Sequence, residues 1–191
     1  MTHIFIVHGW GGYPEEAWFP WLKIKLEKLG HAVEILPMPN PDAPVIDGWV
    51  SFLSQKIGTP DRDTYLVGHS IGVQTILRYL ETLDTPIGGV VTVGGWLSLK
   101  PTALDNEEDI QTAQPWLTTP IVFDKVRTSA SQIAAIFSDD DKYVPIENAD
   151  IFRDRLGARI IMLSGKGHMG GEDGIMELPE TLEEIKKMIG K

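Results

Sequence analysis

The sequence predicts an α/β fold with about six parallel strands and helices on both faces of the sheet. Short β-branched segments alternate with segments of helical spacing along all 191 residues, the pattern of domains built from repeated strand–helix–strand crossovers. Residues 4–7, 90–93 and 160–163 are apolar almost without interruption. Such runs are typical of strands that helices cover on both faces.

The predicted elements follow from these two patterns. Six strands are predicted, at residues 3–8, 32–36, 64–68, 89–93, 132–137 and 159–163. Between them, apolar side chains recur at intervals of three and four residues, as on the buried face of a helix. The clearest stripes are Leu22/Leu26/Leu29, Val73/Ile76/Leu77/Leu80 and Leu178/Leu182/Ile185/Ile189.

One connection is longer than a crossover needs. Residues 94–128 separate the fourth and fifth strands and contain three prolines, which disfavours a single helix. The segment also holds Trp96, Trp116, Phe123 and the acidic run 105–109. Two interpretations stay open: an ordinary crossover with an exposed acidic turn, or a small cap at 95–128 whose three aromatic side chains line a substrate pocket. In either case residues 1–191 are expected to form a single domain.

Composition excludes several classes of partner and site. Lys and Arg total 17 against 27 Asp and Glu, a net charge of −10, which disfavours nucleic acid and anionic membranes as partners. The absence of cysteine excludes disulfides, thiolate metal sites and a cysteine nucleophile. Neither a secretory leader nor an apolar stretch of about 18 residues is visible, so a cytoplasmic location is expected.

The most informative segment is Gly-His-Ser-Ile-Gly at 68–72. A predicted strand enters it and an amphipathic helix leaves it, which is the pattern of a nucleophile elbow. In such a turn the serine has strained backbone angles and projects its hydroxyl above the sheet edge. Ser70 is therefore the candidate nucleophile. The alternative is a serine that caps a helix after a glycine turn.

A serine hydroxyl needs a histidine to accept its proton and a carboxylate to orient that histidine. Of the five histidines, His168 lies in a glycine-rich loop directly after the last predicted strand, at the sheet edge where Ser70 is also expected. His8 and His69 are expected to hold local loop or packing geometry. The acid is expected from Asp139, Asp140 or Asp141, which follow the fifth strand and which the residues alone do not distinguish.

The first loop, residues 8–12, is expected to complete the site. An oxyanion hole needs two backbone amides fixed before charge develops on the substrate oxygen, and Ile71 and Trp10 are the candidates. A phosphate-binding turn is the alternative, but the loop lacks both the dinucleotide glycine spacing and a P-loop lysine. Neither a metal nor an organic cofactor is called for.

With these residues in place, the chain resembles the α/β-hydrolase superfamily, and within it the small serine hydrolases related to retinoblastoma-binding protein nine and the bacterial YdeN proteins. The resemblance covers essentially the whole chain and rests above all on the elbow, on Asp-x-x-Val-Pro at 141–145 and on Gly-His at 167–168. It implies Asp141 as the triad acid, a minimal cap, and activity toward small esters.

The expected activity is hydrolysis of a small-molecule acyl substrate, with an ester as the first expectation and a thioester or amide as alternatives, by Ser70, Asp141 and His168. One alternative is a protein-binding module that keeps the fold without catalysis. A further alternative is aminopeptidase or acyltransferase chemistry with the same three residues.

Overall fold

The structure, a computed structural model, describes residues 1–190 and contains the predicted parallel sheet. Its six strands follow the order β2-β1-β3-β4-β5-β6, and each neighbouring pair is parallel. The strands differ from the predicted segments by at most one residue at either end. They are His3–Val7 (β1), Ala32–Leu36 (β2), Thr64–His69 (β3), Gly89–Val93 (β4), Ile133–Ser138 (β5) and Arg159–Leu163 (β6).

Helices cover both faces of this sheet, as the uninterrupted apolar strands predict. Each face of the sheet has its own buried cluster. The helices α1 and α7 pack on one face, and α2, α3 and α6 pack on the other. Within residues 1–190, no helix has the length and apolar character needed to cross a bilayer. The helices are Phe19–Glu27 (α1), Ile46–Ile57 (α2), Ile71–Leu80 (α3), Glu107–Thr118 (α4), Phe123–Ser129 (α5), Glu147–Leu156 (α6) and Pro179–Ile189 (α7).

The first predicted helical stripe needs one correction. Leu22 and Leu26 are buried on α1, but the helix ends at Glu27 and Leu29 is 44% exposed. The chain turns at Gly30, which has φ of +88°, and that conformation favours glycine and ends the helix. The leucine spacing therefore predicts a helix that continues to Leu29, beyond its actual end at Glu27.

The strand order brings two loops together at one edge of the sheet. The chain passes from β1 outward to β2 and then returns to the other side of β1 as β3. Because all strands are parallel, the loops after β1 and β3 leave the same edge at the point where the direction of winding reverses. Residues 8–12 and Ser70 follow these two strands, so this crevice is where a ligand is expected.

The packing of α3 against β1 depends on Gly72. A Cβ atom at this position would lie 2.5 Å from the carbonyl oxygens of both Val7 and His8, well inside van der Waals contact. Since both obstacles are backbone atoms, they cannot move aside without displacing β1 or the loop that follows it. The second glycine of the elbow is thus explained by helix–strand packing.

We therefore expect Gly72→Ala to lower the free energy of unfolding by about 3 kcal/mol or more, because the added methyl group overpacks a rigid contact. Chemical denaturation measures this change. Gly48→Ala is the matched control, since Gly48 lies in α2 with no atom within 4 Å of the added Cβ and the substitution should stabilise the helix. Equal stability of Gly72→Ala and the wild type would contradict the packing argument.

The long connection between β4 and β5 contains α4 and α5 and is tied to α3 by a buried arginine. The Arg78 Nη2 donates hydrogen bonds to the carbonyl oxygens of Trp116 at 3.0 Å and Thr119 at 2.9 Å. These carbonyls lie at the C-terminal end of α4, where a cation also interacts favourably with the helix dipole. The connection is thereby fixed to the body of the fold.

Candidate active site

Ser70 occupies a strained turn between β3 and α3. Its backbone angles are φ 53° and ψ −124°, a region that residues with a side chain rarely adopt. The Ser70 N–H donates to the Val93 carbonyl oxygen at 2.9 Å. A Cβ at Gly68 would lie 2.8 Å from Ile76 Cδ1 and 3.0 Å from the Val73 nitrogen, so the tight turn requires glycine there. The side chain of Ser70 does not cap α3, which argues against the purely structural interpretation.

A histidine–aspartate pair lies at the same edge of the sheet. His168 Nδ1 is 2.7 Å from Asp141 Oδ2, and both residues are buried. Because an ionised carboxylate can only accept, Nδ1 carries the hydrogen and Nε2 remains for a partner. The other oxygen of Asp141 accepts from the backbone amides of Tyr143 and Val144 at 2.8 and 3.0 Å.

These contacts determine the charge of Asp141. Burial by itself would raise the pKa of its carboxyl group, but the hydrogen bond and charge of His168 and the two backbone amides outweigh burial and hold that pKa below its usual value. Asp141 is therefore ionised in the folded protein near neutral pH. Asp141 thus accepts the hydrogen bond from His168 as an anion.

The structure separates the three adjacent aspartates, which the residues alone did not distinguish. Asp139 Oδ1 accepts from the Gly165 amide at 3.0 Å, and Asp140 Oδ1 accepts from the Gly167 amide at 2.8 Å. Asp140 also accepts from the Ser138 hydroxyl, which is the main reason that its pKa is lowered. Asp139 and Asp140 thus hold the glycine-rich loop, while Asp141 contacts His168.

The first loop, residues 8–12, presents an amide to the same region. Its shape is held by the Gly11 amide, which donates to the Pro41 carbonyl oxygen at 2.8 Å, and by Trp10 Nε1, which donates to the Asp42 carbonyl oxygen at 2.9 Å. Within the described residues, the backbone amide of Trp10 has no hydrogen-bond acceptor. Ile71 is the first residue of α3, where an amide lacks an acceptor within its own helix. Their pairing as an oxyanion hole stays a prediction.

His8 has the structural role expected of it. Its Nε2 accepts from the Met38 amide at 3.1 Å, so Nδ1 carries the hydrogen and donates to the Gly9 carbonyl oxygen at 2.8 Å. Burial lowers the pKa of His8, which keeps the ring in this neutral form. The ring therefore connects the first loop to the chain that follows β2.

A cavity of about 410 Å³ joins these residues. Ser70 and His168 both line it, and so do Gly9 and Trp10 of the first loop. Further lining comes from apolar or aromatic side chains, namely Trp96, Leu99, Ala103, Leu104 and Tyr143, and from the carboxylates of Glu16, Asp105, Asp109 and Glu172. Within residues 1–190, no group of three or more His, Asp or Glu side chains is arranged to hold a metal ion.

Of the three predicted pocket aromatics, the structure brings only Trp96 to this cavity. Trp116 is 1% exposed, donates from Nε1 to the Pro44 carbonyl oxygen at 3.0 Å and packs edge-on against Trp49. Phe123 borders a different depression, where the Arg155 guanidinium lies 4.6 Å from its ring. Both rings stabilise the connection rather than face Ser70, because each has apolar or cationic partners on α2 or α6.

Several cavity residues were not singled out by the sequence. Tyr143 packs edge-on against the His168 ring, with 5.1 Å between ring centroids, and its place between Asp141 and Val144 was a usable signal. No sequence signal marks Glu16 as a cavity residue, since it lies outside the first loop and belongs to no motif or helical stripe. The same holds for Leu99, which precedes the acidic run of the connection.

The chain is similar to known proteins along nearly its whole length. Residues 4–187 match the model of a family described as serine hydrolase. The hydrolase YdeN of Bacillus subtilis is 32% identical over 98% of this chain and 96% of its own, and the serine hydrolase RBBP9 of Rattus norvegicus is 25% identical over the same shares.

Two solved structures extend the comparison. The crystal structure of the B. subtilis ydeN gene product has a TM-score of 0.91 at 30% identity and covers 100% of both chains. Est1E of Butyrivibrio proteoclasticus, solved with ferulic acid, has a TM-score of 0.76 at 18% identity over 100% of this chain and 90% of its own. The second likeness concerns the fold alone.

Proposed function

Since the chain belongs to the serine hydrolase family, we propose that it hydrolyses a small carboxylic ester through an acyl-enzyme formed on Ser70. The observation that carries this proposal is the His168–Asp141 pair at 2.7 Å, whose histidine borders the same cavity as a serine in a strained elbow. A thioester or amide would enter by the same chemistry.

In this mechanism the Ser70 oxygen attacks the substrate carbonyl carbon while His168 Nε2 takes the hydroxyl proton. Asp141 stabilises the resulting imidazolium and keeps its ring oriented. The amides of Trp10 and Ile71 donate to the oxyanion of the tetrahedral intermediate. His168 then returns the proton to the departing alcohol as the carbon–oxygen bond breaks. Water attacks the acyl-enzyme by the reverse sequence and releases the acid.

An acyl-enzyme has a signature that tests the proposal. Hydroxylamine competes with water for a common intermediate, so p-nitrophenyl butyrate and phenyl butyrate should give the same ratio of butyrohydroxamate to butyrate. The ratio is measured by chromatography of the products. A ratio that depends on the leaving group would contradict a shared acyl-enzyme, and no turnover of either ester would contradict ester hydrolysis.

The lining of the cavity predicts a preference in substrate charge. Glu16, Asp105, Asp109 and Glu172 contribute carboxylates, and no Lys or Arg is among the described residues that line the cavity. We expect kcat/KM for p-nitrophenyl butyrate to exceed that for mono-p-nitrophenyl succinate by about tenfold or more, because the succinate carboxylate is repelled.

The same pair of esters supplies the control. Salt screens exposed charges. If repulsion causes the difference, 0.5 M sodium chloride should lower the ratio of kcat/KM for the butyrate ester to kcat/KM for the succinate ester. The Asp105→Asn variant should lower it as well, since Asp105 is exposed at the cavity. Equal kcat/KM for the two esters at low salt would rule out charge selection by these carboxylates.

A further inference from the structure

His69, the residue directly before Ser70, contacts the glycine-rich loop at residues 165–171. This loop carries the proposed base, His168, and is called the base loop below. Its Nε2 lies 2.9 Å from the backbone carbonyl oxygen of His168. Because a carbonyl oxygen can only accept, Nε2 carries the hydrogen and donates it. The ring is buried, with 6% of the residue exposed, so the hydrogen bond is shielded from water and its loss would leave a buried carbonyl without a donor.

The His69 ring also lies between the other parts of the site. Its centroid is 4.9 Å from that of the His168 ring. A Cβ at Gly9 would lie 3.0 Å from His69 Nδ1 and 3.2 Å from Ser70 Cβ, so the first loop packs directly against both residues. One side chain therefore contacts the first loop and the base loop while it is covalently next to the nucleophile.

The base loop needs such anchors because its backbone is strained. Met169, which follows His168, has φ of 59°, a conformation that costs a residue with a side chain of this size free energy. Its carbonyl oxygen accepts from Trp18 Nε1 at 2.9 Å. Two successive carbonyls, those of His168 and Met169, thus accept hydrogen bonds from buried ring N–H groups.

His69 is suited to this position because it stays uncharged. Burial and the neighbouring His168 lower its pKa to about 3, against the smaller raising effects of the hydrogen bond to His168 and the charge of Asp141, and His8 lowers it further. A cation 4.9 Å from His168 would oppose proton transfer to that ring. An uncharged donor fixes the loop without this cost.

We propose that His69 is a positioning residue, which fixes His168 relative to Ser70 through the hydrogen bond to the His168 carbonyl oxygen. This inference rests on the proposed function, since it concerns the alignment of the nucleophile with its base. Misplacement of a reacting group by about 1 Å can lower a rate by about a hundredfold. Loss of the donor should therefore reduce kcat and affect substrate binding little.

The test compares two substitutions at position 69. His69→Leu removes the donor, and His69→Gln keeps an N–H at nearly the same reach from the backbone. We expect His69→Leu to lower kcat for p-nitrophenyl acetate by about tenfold to a hundredfold with KM within about threefold of the wild type. His69→Gln should recover kcat to within about fivefold of the wild type.

Trp116→Phe is the matched control, because it also removes a buried ring N–H that donates to a backbone carbonyl, at 3.0 Å and away from the cavity. Its melting temperature should fall while kcat stays within about twofold of the wild type. Wild-type kcat in His69→Leu, or a His69→Gln kcat as low as that of His69→Leu, would overturn the inference. An inactive wild type would instead overturn the proposed function.

A measurement on the wild-type protein keeps the inference testable if His69→Leu does not fold. Nitrogen-15 NMR of the imidazole rings should show His69 as the neutral Nε2–H tautomer throughout pH 5 to 8. Titration of His69 in that range, or the Nδ1–H tautomer, would overturn the inference, because the ring would then not donate as an uncharged group to His168.

Discussion

Ser70→Ala is expected to lower kcat for p-nitrophenyl acetate by about 10⁴-fold or more, because the variant has no hydroxyl to form the acyl-enzyme. The fold should persist, since alanine keeps the Cβ atom and Ser70 contributes no helix cap. Steady-state kinetics and circular dichroism measure the two effects. Ser54→Ala, a change at an exposed position on α2, is the control and should match the wild type.

A second substitution at position 70 tests the strain of the turn through protein stability. With φ of 53° and ψ of −124°, Ser70→Gly should relieve backbone strain of about 1 kcal/mol or more. That variant is expected to be more stable than Ser70→Ala and equally inactive. A Ser70→Ala protein that retains turnover would contradict the assignment of the nucleophile, whatever its stability.

Asp141→Asn is expected to lower kcat by about 10³- to 10⁴-fold, because an amide neither stabilises the imidazolium of His168 nor fixes its tautomer. The adjacent acids supply unusually close controls. Asp139→Asn and Asp140→Asn alter hydrogen bonds to the Gly165 and Gly167 amides and leave the 2.7 Å contact to His168 in place. We expect each to lower kcat by about tenfold at most.

The comparison is made with the three variants under one set of conditions, with kcat, KM and the unfolding midpoint measured for each. If Asp140→Asn lost as much activity as Asp141→Asn, the acid of the triad would be wrongly assigned. The pH dependence has a defined sign. Since the pKa of Asp141 is lowered by folding, its contribution to stability is present above about pH 4 and is lost as the pH falls through the lowered value.

The sheet was predictable because its signals are local. Short β-branched and apolar runs placed each strand within one residue, and the elbow at 68–72 is a single segment in which a Cβ at Gly68 or Gly72 would collide with neighbouring atoms. The end of α1 was less predictable. Leu29 fits the helical stripe, but the helix ends at Glu27 because the chain turns at Gly30, which has a positive φ.

The cavity was only partly predictable, because its walls come from segments without periodicity. Trp96 and Trp116 are both buried residues of one connection, and nothing in their sequence neighbours indicates which of them lines the cavity. Their difference comes from a distant partner, the Pro44 carbonyl oxygen that accepts from Trp116. Similarly, Asp139, Asp140 and Asp141 have one chemistry, and only the position of the glycine-rich loop assigns them different partners.

The most direct test of the central claim is fluorophosphonate labelling of the wild type and Ser70→Ala, read by intact mass. Only a serine activated by its neighbours reacts with this probe at a useful rate. The account predicts one adduct on the wild type and none on Ser70→Ala. Adducts on both proteins, or on neither when both are folded, would contradict an activated nucleophile at position 70.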